Sequence, residues 1–420
     1  MRRRIAAWLV VGGLLGWGTP ARADVVTDWN LIAAQAIAVA GVRQGPAGAI
    51  DVAMVQVAIH DAIQAYQHRF ESYSAPIANA SGSPVAAAAT AAHDVLIGVG
   101  LTSTAAGTID SIYNTYLSSR GLQNDNGIAT GHQAAAQILS LRAGNDGRAP
   151  ANAEQFFGGT SPGEWRPTAV IPGTSNPMPM VAAFLAHVTP FTLKDPDQFR
   201  PSPPPPHLTS GEYAQDYNEV KRLGGVVSQR TPEQTDMALF FSDNALQYWY
   251  RAARSIAAAH LSDIGDSGRL FALFGMSTAD AVITAWNTKR YWNFWRPITA
   301  IHEGENDGNF KTAGDPGWQP LIVTPNYPTY VSGASTFAGA ASTSLGNYFG
   351  SDKMDFTISS AVAGLTLNPR PYERFSDAAD DVVSARVYEG IHFRLDDVVG
   401  AREGKHVANW AFAHFLRPLE

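Results

Sequence analysis

Ten stretches of this 420-residue chain repeat apolar side chains at helical spacing, and none sustains the alternation of a strand. Asp51–Tyr66 shows it best. Val52, Val55, Ile59, Ile63 and Tyr66 recur on one side, and the polar side is narrow (Gln56, His60, Gln64), which predicts a mostly buried helix. The other stretches cover 27–41, 84–100, 104–118, 127–142, 232–260, 266–292, 334–348, 376–389 and 401–416. An all-α protein of helical bundles is expected, with two packed bundles as one arrangement. Cysteine is absent, so the core, or association into a homo-oligomer, has to hold the fold without disulfides.

The N-terminus reads as an export signal over residues 1–23: Arg2, Arg3 and Arg4, the apolar run Ile5 to Leu15, then the small-x-small site Ala21-Arg22-Ala23. The run is short for a bilayer, and no later stretch reaches the ~18 apolar residues of a membrane span. A soluble exported protein, periplasmic or secreted, is expected. Losing the signal removes four arginines and moves the formal net charge from −7 to −11, which disfavours nucleic acid or an anionic membrane as partner. Consecutive prolines cannot continue a helix. Pro201 and Pro203 to Pro206 therefore mark 195–212 as a stiff connector between an N-terminal helical half, 24–194, and a C-terminal half, 213–420. A strap across one shared core is the alternative.

Three blocks carry oxyanion chemistry. In Lys289–Pro297 (KRYWNFWRP), Lys289 and Arg296 lie seven residues apart, which would put both on one face of a helix ending near Pro297. In Tyr330–Phe337 (YVSGASTF), Ser332 and Gly333 precede an apolar helix and would offer a hydroxyl, free N–H groups and the positive end of the helix dipole. In Ser384–Asp396 (SARVYEGIHFRLD), a turn at Gly390 would bring His392 back beside Arg386, with Asp396, Asp397 or a carbonyl orienting the imidazole. The acidic pairs Asp380-Asp381 and Asp396-Asp397 read better as solvated helix ends than as a divalent-metal site, and His60-Asp61 as a satisfied buried pair. No P-loop, dinucleotide fingerprint, H-E-x-x-H or G-x-S-x-G is present.

K-x6-RP, then SG at a helix start, then R-x3-G-x-H, in that order within about 110 residues, resembles the active-site signature of the vanadium-dependent haloperoxidase and type 2 acid phosphatase superfamily. Trp286–Lys289, Ile298–Ile301, Phe375–Ala379 and Val55–Tyr73 extend the resemblance toward its bacterial haloperoxidase-like branch. The resemblance implies vanadate as cofactor, with phosphate as a competing anion and no haem or flavin. Lys289, Arg296, Ser332, Gly333 and Arg386 would hold the oxygens, and His392 would give vanadium its apical nitrogen. Hydrogen peroxide, a halide and a small organic acceptor would be the reactants. Trp286 and Tyr327 would line the halide side or simply be core aromatics, and Asp243 and Asp396 would support the site. In a phosphatase the same His392 would be the nucleophile.

One residue departs from that pattern. Ala334 stands where active relatives carry the acid–base histidine, a group worth ~10²–10⁴ in rate. A natural variant with a shifted role, an engineered knock-out, or proton work moved to His302 or Ser335 would each explain it. Three functions stay open: a haloperoxidase with weakened or altered chemistry, an acid phosphatase, or a non-catalytic anion-binding relic.

Overall fold

The computed structural model describes residues 24–40, 45–146, 154–202 and 204–420; the expected signal segment and Pro203 lie outside them. The order is α1 (Val25–Ala40), α2 (Gly48–Gln67), α3 (Pro84–Gly98), α4 (Ser103–Ser118), α5 (Gly127–Arg142), α6 (Gly211–Leu223), α7 (Pro232–Phe241), α8 (Ala245–His260), α9 (Ile264–Trp292), α10 (Pro297–His302) and α11 (Gly333–Phe349). A hairpin, β1 (Lys353–Ile358) and β2 (Arg370–Arg374), then leads into α12 (Phe375–Tyr388) and α13 (Arg394–His414). Among the described residues no helix is long and apolar enough to cross a membrane.

The all-α expectation holds, and the differences have local causes. The single helix expected over 232–260 is two helices. At the break Asp243 accepts the N–H of Asn244, and Asn244 caps α8 by accepting the N–H of Leu246. The helix expected from 401 begins at Arg394, because charged residues fill its first turn and mask the period. The hairpin was hidden because Met354, Phe356 and Ile358 alternate over only six residues. In α6, Tyr213, Tyr217 and Val220 make a buried stripe behind the Ser210 cap, a signal too short to stand out.

α9, 29 residues and so about 43 Å long, is the axis of the molecule. It packs on α2, α11 and α13, and one apolar cluster runs through elements from both ends of the chain. Every residue of α2 from Gly48 to Ala65 is buried. His60 and Asp61 do not bond each other there. Instead His60 meets the Glu71 carbonyl, and Asp61 accepts the N–H groups of Tyr73 and Ser74.

Between α5 and α6 the described chain forms no α-helix, only a 3₁₀ turn at Ala183–His187, and it runs along α9. Asp280 of α9 fixes it by accepting the N–H groups of Phe191 and Thr192 and the Thr192 hydroxyl. α11 and α13 cross in near-backbone contact: a Cβ on Gly404 would sit 2.0 Å from the Thr336 carbonyl oxygen.

Candidate oxyanion site

The three blocks meet at the end of α9, by a route that differs in one respect from the spacing argument. Lys289 and Arg296 do not share a helix face. α9 stops at Trp292, where Asn293 turns left-handed (φ 48°) and its N–H caps the Lys289 carbonyl. Pro297 opens the next helix, α10, with Arg296 as its cap residue. The two cations converge on one stretch of backbone. Lys289 Nζ donates to the carbonyls of Pro328 (2.7 Å) and Thr329 (2.9 Å), and Arg296 Nε donates to that of Tyr327 (2.7 Å).

Ser332 caps α11, accepting the Ser335 N–H, while its own N–H donates to the Asp396 carbonyl. The Trp286 ring lies against Gly333 so closely that a Cβ there would come within 2.8 Å of it. After α12 the chain reverses at Gly390 (φ 80°), which packs on Gly224 with no room for a side chain. That reversal brings His392 to Arg296, whose Nη1 donates to the Ile391 carbonyl (2.7 Å) and faces His392 Nε2 (3.2 Å).

The tautomer of His392 follows from its other neighbours. The Thr329 hydroxyl donates to Asp396 (2.5 Å), so it accepts at 2.9 Å from Nδ1, which therefore carries the hydrogen. Asp396 also accepts the Phe393 N–H, fixing the first turn of α13 behind the imidazole. Burial, with Arg296, Lys289 and Arg386 adding repulsion, pushes His392 well below the ordinary histidine range. The ring is neutral, and the Nε2 lone pair faces the cations.

Burial also dominates the surrounding charges. It lowers Lys289 well below the usual lysine value and brings Arg296 down to about 10. Four buried acids stand around these cations. Glu389 pairs with Arg386 (2.6 Å) and is pushed up to about 7; Glu403 accepts the Thr288 hydroxyl (3.1 Å) and rises to about 8. Asp396 and Asp397 are raised too, Asp397 far above the carboxylate range. The solvated-helix-end reading of Asp396-Asp397 is thus corrected: they are 1% and 0% exposed, turned inward by the α11–α13 packing. Thr329, Glu389 and Glu403 escaped the sequence reading. Only Glu389, three residues after Arg386, carried a spacing signal.

A cavity of ≈ 320 Å³ opens beside the cradle, with Phe241, Leu246, Trp286, Tyr327, Ala334 and Arg386 in its wall. Trp286 and Tyr327 stack obliquely (4.9 Å), the Tyr327 ring lies over both Lys289 and Arg296, and the Trp286 N–H is committed to the Val181 carbonyl. Asp243 lines the same cavity but is ion-paired with Arg251 and accepts the Ala361 N–H. The carboxylate beside His392 is Asp396. His302 bonds the Trp318 carbonyl, and Ser335 donates to Asp397 (2.8 Å); neither lines the cavity.

Two buried donors, Arg296 Nη2 and Arg386 Nε, have no hydrogen-bond partner. Buried guanidinium N–H groups left unmet are costly, and a tetrahedral oxyanion between them would satisfy both while offsetting the clustered positive charge. The residues present therefore fit vanadate or phosphate.

Residues 269–420 match the sequence model of the VCPO second helical-bundle domain. The vanadium chloroperoxidase of Curvularia inaequalis is 26% identical over 180 residues, which is 35% of this chain and 29% of that protein. The aligned part thus spans less than a third of that relative. The structure of the first bacterial vanadium-dependent iodoperoxidase superimposes with a TM-score of 0.78 at 22% identity, covering 94% of this chain and 97% of that one. A holo-type bacterial vanadium-dependent chloroperoxidase gives 0.74 at 18% identity, with 93% and 97% covered. The fold is the helical-bundle fold of these vanadium-dependent haloperoxidases. The superfamily read from the three blocks is the one these matches support.

Proposed function

We propose that the cradle binds vanadate and that the protein is an exported, haloperoxidase-like enzyme whose chemistry is weakened or altered at position 334. What supports this most is the convergence of two unpartnered buried guanidinium donors, Arg296 Nη2 and Arg386 Nε, on a neutral imidazole whose Nε2 meets Arg296 Nη1. Bound vanadate supplies a Lewis-acidic centre for activating hydrogen peroxide toward halide. Lys289, Arg296 and Arg386 balance the anion's charge, and Ser332 and Gly333 bind from the α11 terminus. Thr329 and Asp396 aim His392 Nε2 at the anion. Ala334 moves no proton, so chemistry falls further than binding. The test is peroxide-dependent bromination of an activated organic acceptor by vanadate-loaded protein, beside Ala334→His. Turnover by the histidine version alone fits the proposal; no turnover by either, with no orthovanadate binding at millimolar concentration, refutes it.

A phosphatase is the second reading: the same Nε2, unprotonated because Nδ1 holds the hydrogen toward Thr329, would be the nucleophile on a bound phosphoryl group. It predicts phosphate release from an aryl ester, whose good leaving group needs no acid at 334, and loss of that release in His392→Ala.

A further inference from the structure

We propose that Asp397 is a positioning residue that holds a proton so that the Ser332 hydroxyl can face the bound oxyanion. The inference rests on the cradle reading above and adds a group that reading does not use. Ser332 has one hydroxyl hydrogen, and its oxygen already accepts the Ser335 N–H at the α11 cap. Asp397, fully buried on α13, faces that hydroxyl and accepts the Ser335 hydroxyl at Oδ1 (2.8 Å). Its Oδ2 is buried and takes no hydrogen bond.

A bare carboxylate oxygen without a donor is costly in such a place, so Oδ2 is where a proton sits. As a carboxylate, Asp397 would draw the Ser332 hydrogen to itself and away from the anion. As a carboxyl, it donates to Ser332 Oγ, and the Ser332 hydrogen is freed for the cradle. The charged groups facing Asp397 are Asp396 and Arg394 on its own helix, Arg386 on α12 and Lys289 on α9, and the start of α11 contributes the two serines. Burial, ahead of these neighbours, holds the carboxyl in its neutral form. The cradle thereby keeps a proton on α13 although position 334 has none to give.

The probe is sulfate, a tetrahedral dianion that keeps its charge across the pH range, titrated calorimetrically into the full protein. Asp397→Asn keeps a donor toward Ser332 but cannot ionise. Relative to Asp397→Asn, the unsubstituted protein should lose about tenfold in sulfate affinity as rising pH ionises Asp397, the scale of one charge-assisted hydrogen bond. Ser332→Ala should weaken binding and make a further Asp397→Asn change silent, since the two act through one bond. Parallel pH profiles for the unsubstituted protein and Asp397→Asn, or independent effects of the two substitutions, overturn the inference. Absence of sulfate binding in every version overturns the cradle reading itself.

Discussion

Gly404→Ala is the substitution whose sign separates helix propensity from packing. Gly404 lies inside α13, where alanine is intrinsically the better helix former by about 1 kcal/mol. The crossing with α11 opposes it. The new Cβ would sit 2.0 Å from the Thr336 carbonyl oxygen and 2.7 Å from the Ala340 nitrogen, backbone atoms that no rotamer change can clear. Reaching even a 3.0 Å contact requires the helices to part by about 1 Å. Overpacking of that kind costs about 3 kcal/mol at the upper end of its usual range, leaving roughly 2 kcal/mol net destabilisation after the propensity gain. Gly107→Ala is the control: it lies in exposed α4 with nothing within 4 Å of the added carbon, and it should stabilise by about 0.5–1 kcal/mol. Denaturant unfolding of both, with matched m-values, gives the comparison. Because Ser332 caps α11 and His392 lies two residues before α13, sulfate affinity should also fall in Gly404→Ala and stay unchanged in Gly107→Ala. Equal stabilisation by both substitutions would show that the α11–α13 contact is not as close as described.

Exogenous imidazole should restore part of the turnover of the vanadate-loaded protein with saturation, because the ≈ 320 Å³ cavity beside Ala334 has room for it; Ala334→Phe should abolish the effect. Thr329→Val removes the hydroxyl that joins His392 Nδ1 to Asp396 and leaves only their longer direct contact of 3.3 Å, and orthovanadate affinity should drop about 10- to 100-fold by titration. Asp280→Ala strips the acceptor from the buried N–H groups of Phe191 and Thr192, and thermal melts should show a loss of about 3 kcal/mol. Outside the site, burial pulls His93 down, but Asp94 and Asp110 outweigh it and hold its pKa above the usual 6.5. A raised histidine stabilises below its unfolded value and loses that contribution as pH rises through the folded one. Asp110→Asn should therefore cost about 0.5–1 kcal/mol near pH ~5.5 and much less near pH ~9.

The sequence was most legible where one short segment decides the outcome. The period of α2, the Ser332 cap and the turn at Gly390 are local facts, and each is found where the residues predict it. Arg296 shows the limit of that reasoning: the seven-residue spacing to Lys289 pointed to a shared face, but the left-handed Asn293 breaks α9 between them. They converge because the 327–329 backbone offers both of them carbonyls. Asp397 shows it more sharply. An Asp-Asp pair in a first helical turn is usually solvated, and only the packing of α13 onto α11 buries it. Thr329 had no signal of its own, since its role depends on His392 and Asp396 arriving from more than sixty residues away.

Ala334 occupies the second position of α11 and borders the cavity, while every contact that shapes the cradle is made by other residues. Under the proposed function, capture of the anion and handling of its protons would therefore be separable properties, divided between adjacent residues of one helix start. A single codon at 334 would then switch the second without disturbing the first, and a lineage on this scaffold could pass from enzyme to anion receptor, and back, without refolding anything.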